Sequence, residues 1–121
     1  MARVLIVDDS PTEIHVIRGI LDKNGIEVIT ASNGEEGVES ASREMPDLIL
    51  MDVVMPGLNG FQATRAITKD PKTQHIPIII VSTKDQETDR VWGLRQGAKD
   101  YITKPVDEAM LMQKINAMLG S

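Results

Sequence analysis

Five short apolar runs at near-regular spacing constrain this chain more than any other feature. They are Val4–Val7, Val28–Ile29, Leu48–Met51, Ile78–Val81 and Tyr101–Ile102, and their starts lie 24, 20, 30 and 23 residues apart. Such a spacing leaves room for one helix and two short loops between successive strands, which is the arithmetic of a βα unit repeated five times. The runs are continuous rather than alternating, so each strand offers apolar side chains to both faces of its sheet, as strands covered by helices on both sides must. The fold class expected is α/β: a doubly wound (βα)5 domain with a five-stranded parallel sheet and helices on both faces.

The segments between the runs carry helix signals. Ser10-Pro11-Thr12-Glu13 reads as an N-cap serine, a proline at the first helical position and a capping-box glutamate, followed by Ile14, Ile17, Ile20 and Leu21 on one face. Gly25 is placed to end that helix. Asn33-Gly34-Glu35-Glu36 repeats the box, and Asp107 is a cap for a last helix whose Leu111, Ile115, Met118 and Leu119 form an apolar stripe. The helices expected are 11–24, 34–44, 60–69, 86–96 and 107–119. With 121 residues and short loops, the chain reads as a single domain, 1–121, with nothing left for a second module.

Composition excludes several function classes. There is no cysteine, which removes disulfide scaffolds, thiolate metal sites and thiol nucleophiles and fits a reducing compartment. The apolar run at the N-terminus is too short for a signal peptide or membrane span, so the expectation is a cytoplasmic protein with no membrane partner. Net charge is −5 and basic residues occur at most in pairs, which argues against a nucleic-acid partner. The charge is uneven. Residues 1–52 hold 11 acidic and 4 basic residues, net −7, while residues 53–121 hold 7 acidic and 9 basic, net +2.

In a doubly wound parallel sheet, ligands sit outside the carboxyl ends of the strands, so the residues just after each apolar run matter most. These are Asp8-Asp9, Asp52, Ser82-Thr83 and Lys104-Pro105. Three carboxylates brought together repel unless a proton or a cation joins them. Hard oxygen donors without a histidine or cysteine in reach favour Mg²⁺, which keeps several waters and leaves positions for a phosphoryl oxygen. A lysine and hydroxyls beside such a cluster suit an incoming phosphoryl group, with an aspartate as its acceptor. Each residue alone has a plainer reading: an acid near a helix N-terminus, a loop residue after a strand, a surface lysine in a turn. The joint placement at four strand ends is what raises the chemical reading. His15 and His75 lie far apart and are assigned no role, and Met110, Met112 and Met118 read as core or partner contacts.

At these residues the sequence resembles the receiver domains of two-component response regulators, of which CheY is the type. VLIVDDS, LILMDVVMPGLNG, IIIVSTKD and YITKP stand in that family's order, and the match runs from Arg3 to Leu119. The resemblance implies the flavodoxin-like strand order 2-1-3-4-5 known for CheY. It implies Asp52 as phosphoacceptor, Asp9 as a direct Mg²⁺ ligand, Asp8 acting largely through water, and the backbone carbonyl of Val54 as a further ligand. It assigns Ser82 and Lys104 to the phosphoryl oxygens, a cis peptide to Lys104-Pro105, and the role of switch aromatic to Tyr101. The strings NGFQATR, TKDQETDRVWG and RQGAKDYITKPVDE are similar to stand-alone receivers of type IV pilus chemosensory systems, the PilH type, which take phosphate from a CheA-like kinase.

The function expected is therefore a single-domain response regulator. It accepts a phosphoryl group on Asp52 from a CheA-like histidine kinase with Mg²⁺, then signals by a conformational switch or acts as a phosphate sink in pilus-based twitching motility. The partners expected are the kinase's phosphotransfer domain and a downstream protein on the face of the fourth helix, fifth strand and fifth helix, with the chain a monomer or transient dimer. Two other readings stand beside it: an aspartyl-phosphate hydrolase of the haloacid-dehalogenase type, and a phosphorylation-independent interaction module. The hydrolases carry a second acid two residues after the nucleophile, where this chain has Val54; the full set Asp8, Asp9, Asp52, Ser82 and Lys104 speaks against a vestigial site. Val54 and Lys84, two residues after Asp52 and Ser82, replace the polar or acidic side chains of CheY, so slow loss of the phosphoryl group is expected.

Overall fold

The computed structural model describes residues 1–120. Strands and helices alternate without exception: β1 (Arg3–Val7), α1 (Pro11–Lys23), β2 (Glu27–Ala31), α2 (Gly34–Glu44), β3 (Leu48–Met51), α3 (Gly60–Lys69), β4 (Ile78–Ser82), α4 (Glu87–Arg95), β5 (Asp100–Thr103) and α5 (Glu108–Leu119). All strand pairings are parallel and the sheet order is β2-β1-β3-β4-β5. The expected fold class is what the structure contains. The order reverses between β1 and β3, which opens a crevice at their carboxyl ends.

The side chains of each strand divide between two cores, as the continuous apolar runs require. Val4, Ile6, Leu48, Leu50, Ile79 and Val81 pack with Ile17 and Leu21 of α1 and Leu111 and Ile115 of α5. Their neighbours Leu5, Val7, Ile49, Met51 and Ile78 pack on the other face with Ala41 of α2 and Ala63 and Ile67 of α3. Near α4 lies a third, smaller cluster of Val53, Ile80 and Ala98, with Phe61 and Tyr101 against it.

Helix boundaries differ from the sequence expectation by a residue, for reasons of capping. Residues 86 and 107 are Gln86 and Asp107, N-caps whose backbone is extended rather than helical, and Asn24 is the C-cap of α1, followed by Gly25 at φ +74°. Both expected capping boxes form only in half. Ser10 Oγ accepts from the Glu13 N–H at 3.3 Å and Asn33 Oδ1 from the Glu36 N–H at 2.8 Å. The return bonds are absent, because the Ser10 N–H is taken by Asp8 Oδ1 at 2.9 Å and Glu36 bonds the Ser32 hydroxyl at 2.9 Å. A complete box closes instead at Asn59 and Gln62, at the start of α3. Among the described residues no helix is long and apolar enough to cross a membrane.

Candidate functional site

Sheet register assembles the site. Val7 pairs with Met51, so the residues that follow them, Asp8 and Asp52, leave adjacent strands side by side. Backbone bonds hold both: the Asp52 N–H donates to the Val7 carbonyl at 2.9 Å and the Asp8 N–H to the Ala31 carbonyl at 3.1 Å. One strand further out, Ser82 pairs with Thr103, and the Lys104 N–H donates to the Ser82 carbonyl at 2.8 Å. The Lys104–Pro105 peptide is cis, as the resemblance implied.

Carboxylate oxygens of Asp8, Asp9 and Asp52 all lie within 4.8 Å of one another. The Lys104 ammonium reaches into the cluster, 2.9 Å from Asp8, 3.6 Å from Asp52 and 3.8 Å from Glu13. Asp8 and Asp52 are buried, whereas Asp9 is exposed. Two buried carboxylates share one close cation, and that imbalance appears in the titration of Asp52. The Asp52 carboxyl is pushed up to about 6, by burial first and by the charge of Asp8 second, with Lys104 offsetting the rise only in part. Burial alone would lower the Lys104 ammonium, but its bond to Asp8 and the charges around it hold it above the ordinary lysine value.

The donor set suits a hard divalent cation. All three side chains offer oxygen, Lys104 is the one ammonium in ion-pair reach, and Asp9 has no hydrogen bond or ion pair among the described residues. A cation there would relieve the crowding that raises Asp52.

Ser82 reaches the same edge but its side chain is engaged elsewhere. It is fully buried, and its Oγ accepts from the Lys84 N–H at 3.1 Å. The carbonyl of the same Lys84 accepts from the Tyr101 hydroxyl at 2.7 Å. One residue of the β4–α4 loop thus ties Ser82 to Tyr101. Val54 projects into solvent, 60 % exposed, and the Lys84 ammonium lies 3.8 Å from Asp89.

Sequence reading missed three contacts of this arrangement, although the resemblance already placed Met55-Pro56-Gly57 and Gly60 in the loop after the strand that carries Asp52. Glu13 was taken as a capping residue, and its approach to Lys104 depends on α1 and the loop after β5 meeting, which no local pattern shows. Gly60 is required because a Cβ there would overlap the Asp52 carbonyl, where α3 begins against the end of β3. The Gly57 turn, at φ +73°, is braced by Glu35 of α2, which accepts from the Leu58 N–H at 3.1 Å.

The chain that builds this arrangement also matches a known family over most of its length. Residues 4–116 match the response regulator receiver domain. The chain belongs to that family. It is 64% identical over 120 residues to Protein PilH of Pseudomonas aeruginosa, with 99% of each chain covered. It is 39% identical over 117 residues to the response regulator PleD of Caulobacter vibrioides, covering 97% of this chain but only 26% of PleD. Among solved structures, the receiver domain of a sensor histidine kinase from Pseudomonas aeruginosa superposes with a TM-score of 0.91 at 34% identity, covering 99% of this chain and 98% of that one, and carries a magnesium ion in its active-site cleft. Chemotaxis protein CheY4 of Vibrio cholerae gives a TM-score of 0.91 at 30% identity, covering 98% and 99%. The chain is a receiver domain of a two-component system, similar to PilH over nearly its whole length.

Proposed function

We propose that this receiver domain accepts a phosphoryl group on Asp52 from a histidine kinase. The observation that carries the reading is the position of Asp52, buried at the switch point of the sheet between a second carboxylate, Asp8, and the Lys104 ammonium. Transfer breaks the P–N bond of a kinase phosphohistidine protonated on its second ring nitrogen and forms a P–O bond to the Asp52 carboxylate, so that the leaving group departs as neutral imidazole. Asp8, Asp9 and Asp52, with the backbone carbonyl of Val54, are the residues that would hold Mg²⁺, which when bound neutralises charge on the carboxylates and the transferring group. Lys104 is within reach to shift its ion pairing from the carboxylates to the new phosphoryl oxygens. Ser82 would release the Lys84 N–H to donate its own hydroxyl to the phosphoryl group, and Tyr101, bonded to the same residue, would follow.

Identity with PilH and the motifs shared with pilus chemosensory receivers support a role in pilus-based motility, with a CheA-like kinase as donor and a cytoplasmic setting. The chain would act as a monomer or transient dimer, either through a partner on the face of α4, β5 and α5 or as a sink that drains the kinase. The test is labelling by acetyl phosphate, and by a panel of phosphorylated kinases, with and without Mg²⁺. Labelling that requires Mg²⁺ and disappears in a folded Asp52→Asn variant is expected. Undiminished labelling of that variant would place the acceptor elsewhere.

A further inference from the structure

A groove runs between α3 and α4, on the flank of α4 away from α5. It has a volume of about 520 Å³ and is lined by Asn59, Phe61, Gln62, Arg65, Trp92 and Gln96. Trp92 is 51 % exposed although it is a large aromatic on a short helix, and neighbouring Val91 is 40 % exposed. Core packing does not account for either. Arg65 stands at the groove with its guanidinium 3.5 Å from Gln96 Oε1 and, among the described residues, no carboxylate partner.

The charge around this groove is the reverse of the rest of the molecule. Of the thirteen lysines and arginines, seven pair with a carboxylate within 4.0 Å. Among the described residues the six without such a pair are Arg65, Lys69, Lys72, Arg90, Arg95 and Lys99, all exposed. They fall in one continuous stretch, on α3, the loop after it, α4 and the turn before β5. Helix α3 itself carries no acid. A protein of net charge −5 thus carries the unpaired Arg65 in the lining of the groove beside its only tryptophan, with the unpaired Lys69 and Arg95 on the two helices that form it.

We propose that the α3–α4 groove is a docking site for an acidic amphipathic helix of a partner protein, with an apolar side chain seated against Trp92 and Phe61 and carboxylates against Arg65 and Arg95. A cleft between two helices is shaped to take a third, read through anchors spaced at three and four residues. Tryptophan and arginine are the side chains that most often carry an interface. Surrounding cations steer an acidic partner and repel a basic one. The surface contains neither Asp52 nor its charged neighbours, so binding is measurable in the unphosphorylated protein.

Because Trp92 is the only tryptophan, its fluorescence reports the groove directly. The probe is a synthetic helical peptide with Leu and Phe on one stripe and Glu on the remaining positions; its control keeps the stripe and replaces Glu by Lys. Saturable change in Trp92 emission with the acidic peptide, weakened by added salt and absent with the lysine peptide, is expected. The double variant Arg65→Glu with Arg95→Glu, both exposed, should lose about tenfold in affinity. Calorimetry on Trp92→Ala should show a loss of about 30-fold. Circular dichroism confirms that the variants fold. The proposal is overturned by no saturable change, by equal binding of the lysine peptide, or by charge reversal without effect. Tighter binding of a uridine oligonucleotide would make the surface a nucleic-acid site instead, and a fluorescence change with protein concentration alone would make it a self-association face.

Discussion

Helices α4 and α5 flank the same edge strand, β5, yet are anchored very differently. Helix α5 buries Leu111 and Ile115 completely and adds Met112, Met118 and Leu119 to the larger core. Helix α4 buries Gly93 alone, while Leu94 is only half-buried and Val91 and Trp92 are turned to solvent. Its contact with the sheet runs through a close backbone approach: a Cβ on Gly93 would come within 2.8 Å of Ile80 Cδ1 and 3.3 Å of the Tyr101 ring. Elements with few buried apolar contacts occupy the low end of the range of local stabilities, and moving parts are drawn from there. The chemistry sits at rigid strand ends, and the helix connected to it through the Ser82–Lys84–Tyr101 bonds is the one least held by the core.

The widest gap between the two helices should appear in core truncation. Ile115→Ala is expected to cost about 2–5 kcal/mol in denaturant unfolding. Trp92→Ala should stay within about 0.5 kcal/mol, as for a surface position. Comparable losses at the two sites would remove the contrast.

A smaller effect isolates the strained acidic end. The folded-state value of Asp52 is raised to about 6, so ionising that group costs the folded chain more than the unfolded one. In metal-free protein its contribution is therefore favourable below the ordinary carboxylate range and is lost as pH rises through about 6. Asp52→Asn should be the more stable protein at pH ~7.5 by on the order of 2 kcal/mol, with the difference vanishing toward pH ~4. A pH-independent difference would mean that crowding of the carboxylates is not its source.

The smallest effect tests how α5 is tied to β5. The Lys114 ammonium lies 2.7 Å from Asp100. Burial pushes the Asp100 carboxyl up, but that ammonium and the Tyr101 N–H outweigh it and hold the group below the ordinary carboxylate value. Its stabilising contribution is present above the unfolded carboxylate's titration and lost as pH falls through the lowered one. Lys114→Ala should cost about 1 kcal/mol or less near neutral pH and nothing measurable in strong acid. A larger loss would show the lysine's alkyl stem, rather than its charge, to be the tie.

Much of this molecule is legible from local pattern. The apolar runs located every strand, most fully the inner β1, β3 and β4, whose burial on both faces leaves an uninterrupted signature, and the strand ends located Asp8, Asp52, Ser82 and Lys104. Helix α4 was placed within a residue at each end, yet nothing in Glu87–Arg95 marked it as poorly anchored, since the exposure of Val91 and Trp92 depends on how the helix lies on the sheet. Contacts between distant segments stayed hidden for the same reason. Glu13 near Lys104, Glu35 under the Gly57 turn and Arg3 joined to both Glu27 and Glu44 depend on which loops meet, and sequence spacing does not encode that.

The coupling of the acidic site to the loosely held helix is tested most directly by amide NMR of the Mg²⁺-loaded protein with and without beryllofluoride, a phosphoryl mimic. Shift changes are expected to extend from Asp52 through residues 82–104, taking in the Lys84 loop, α4 and Tyr101, while the amides of Leu111 and Ile115 hold their positions. Changes confined to Asp8, Asp9, Asp52 and their immediate neighbours would contradict the account.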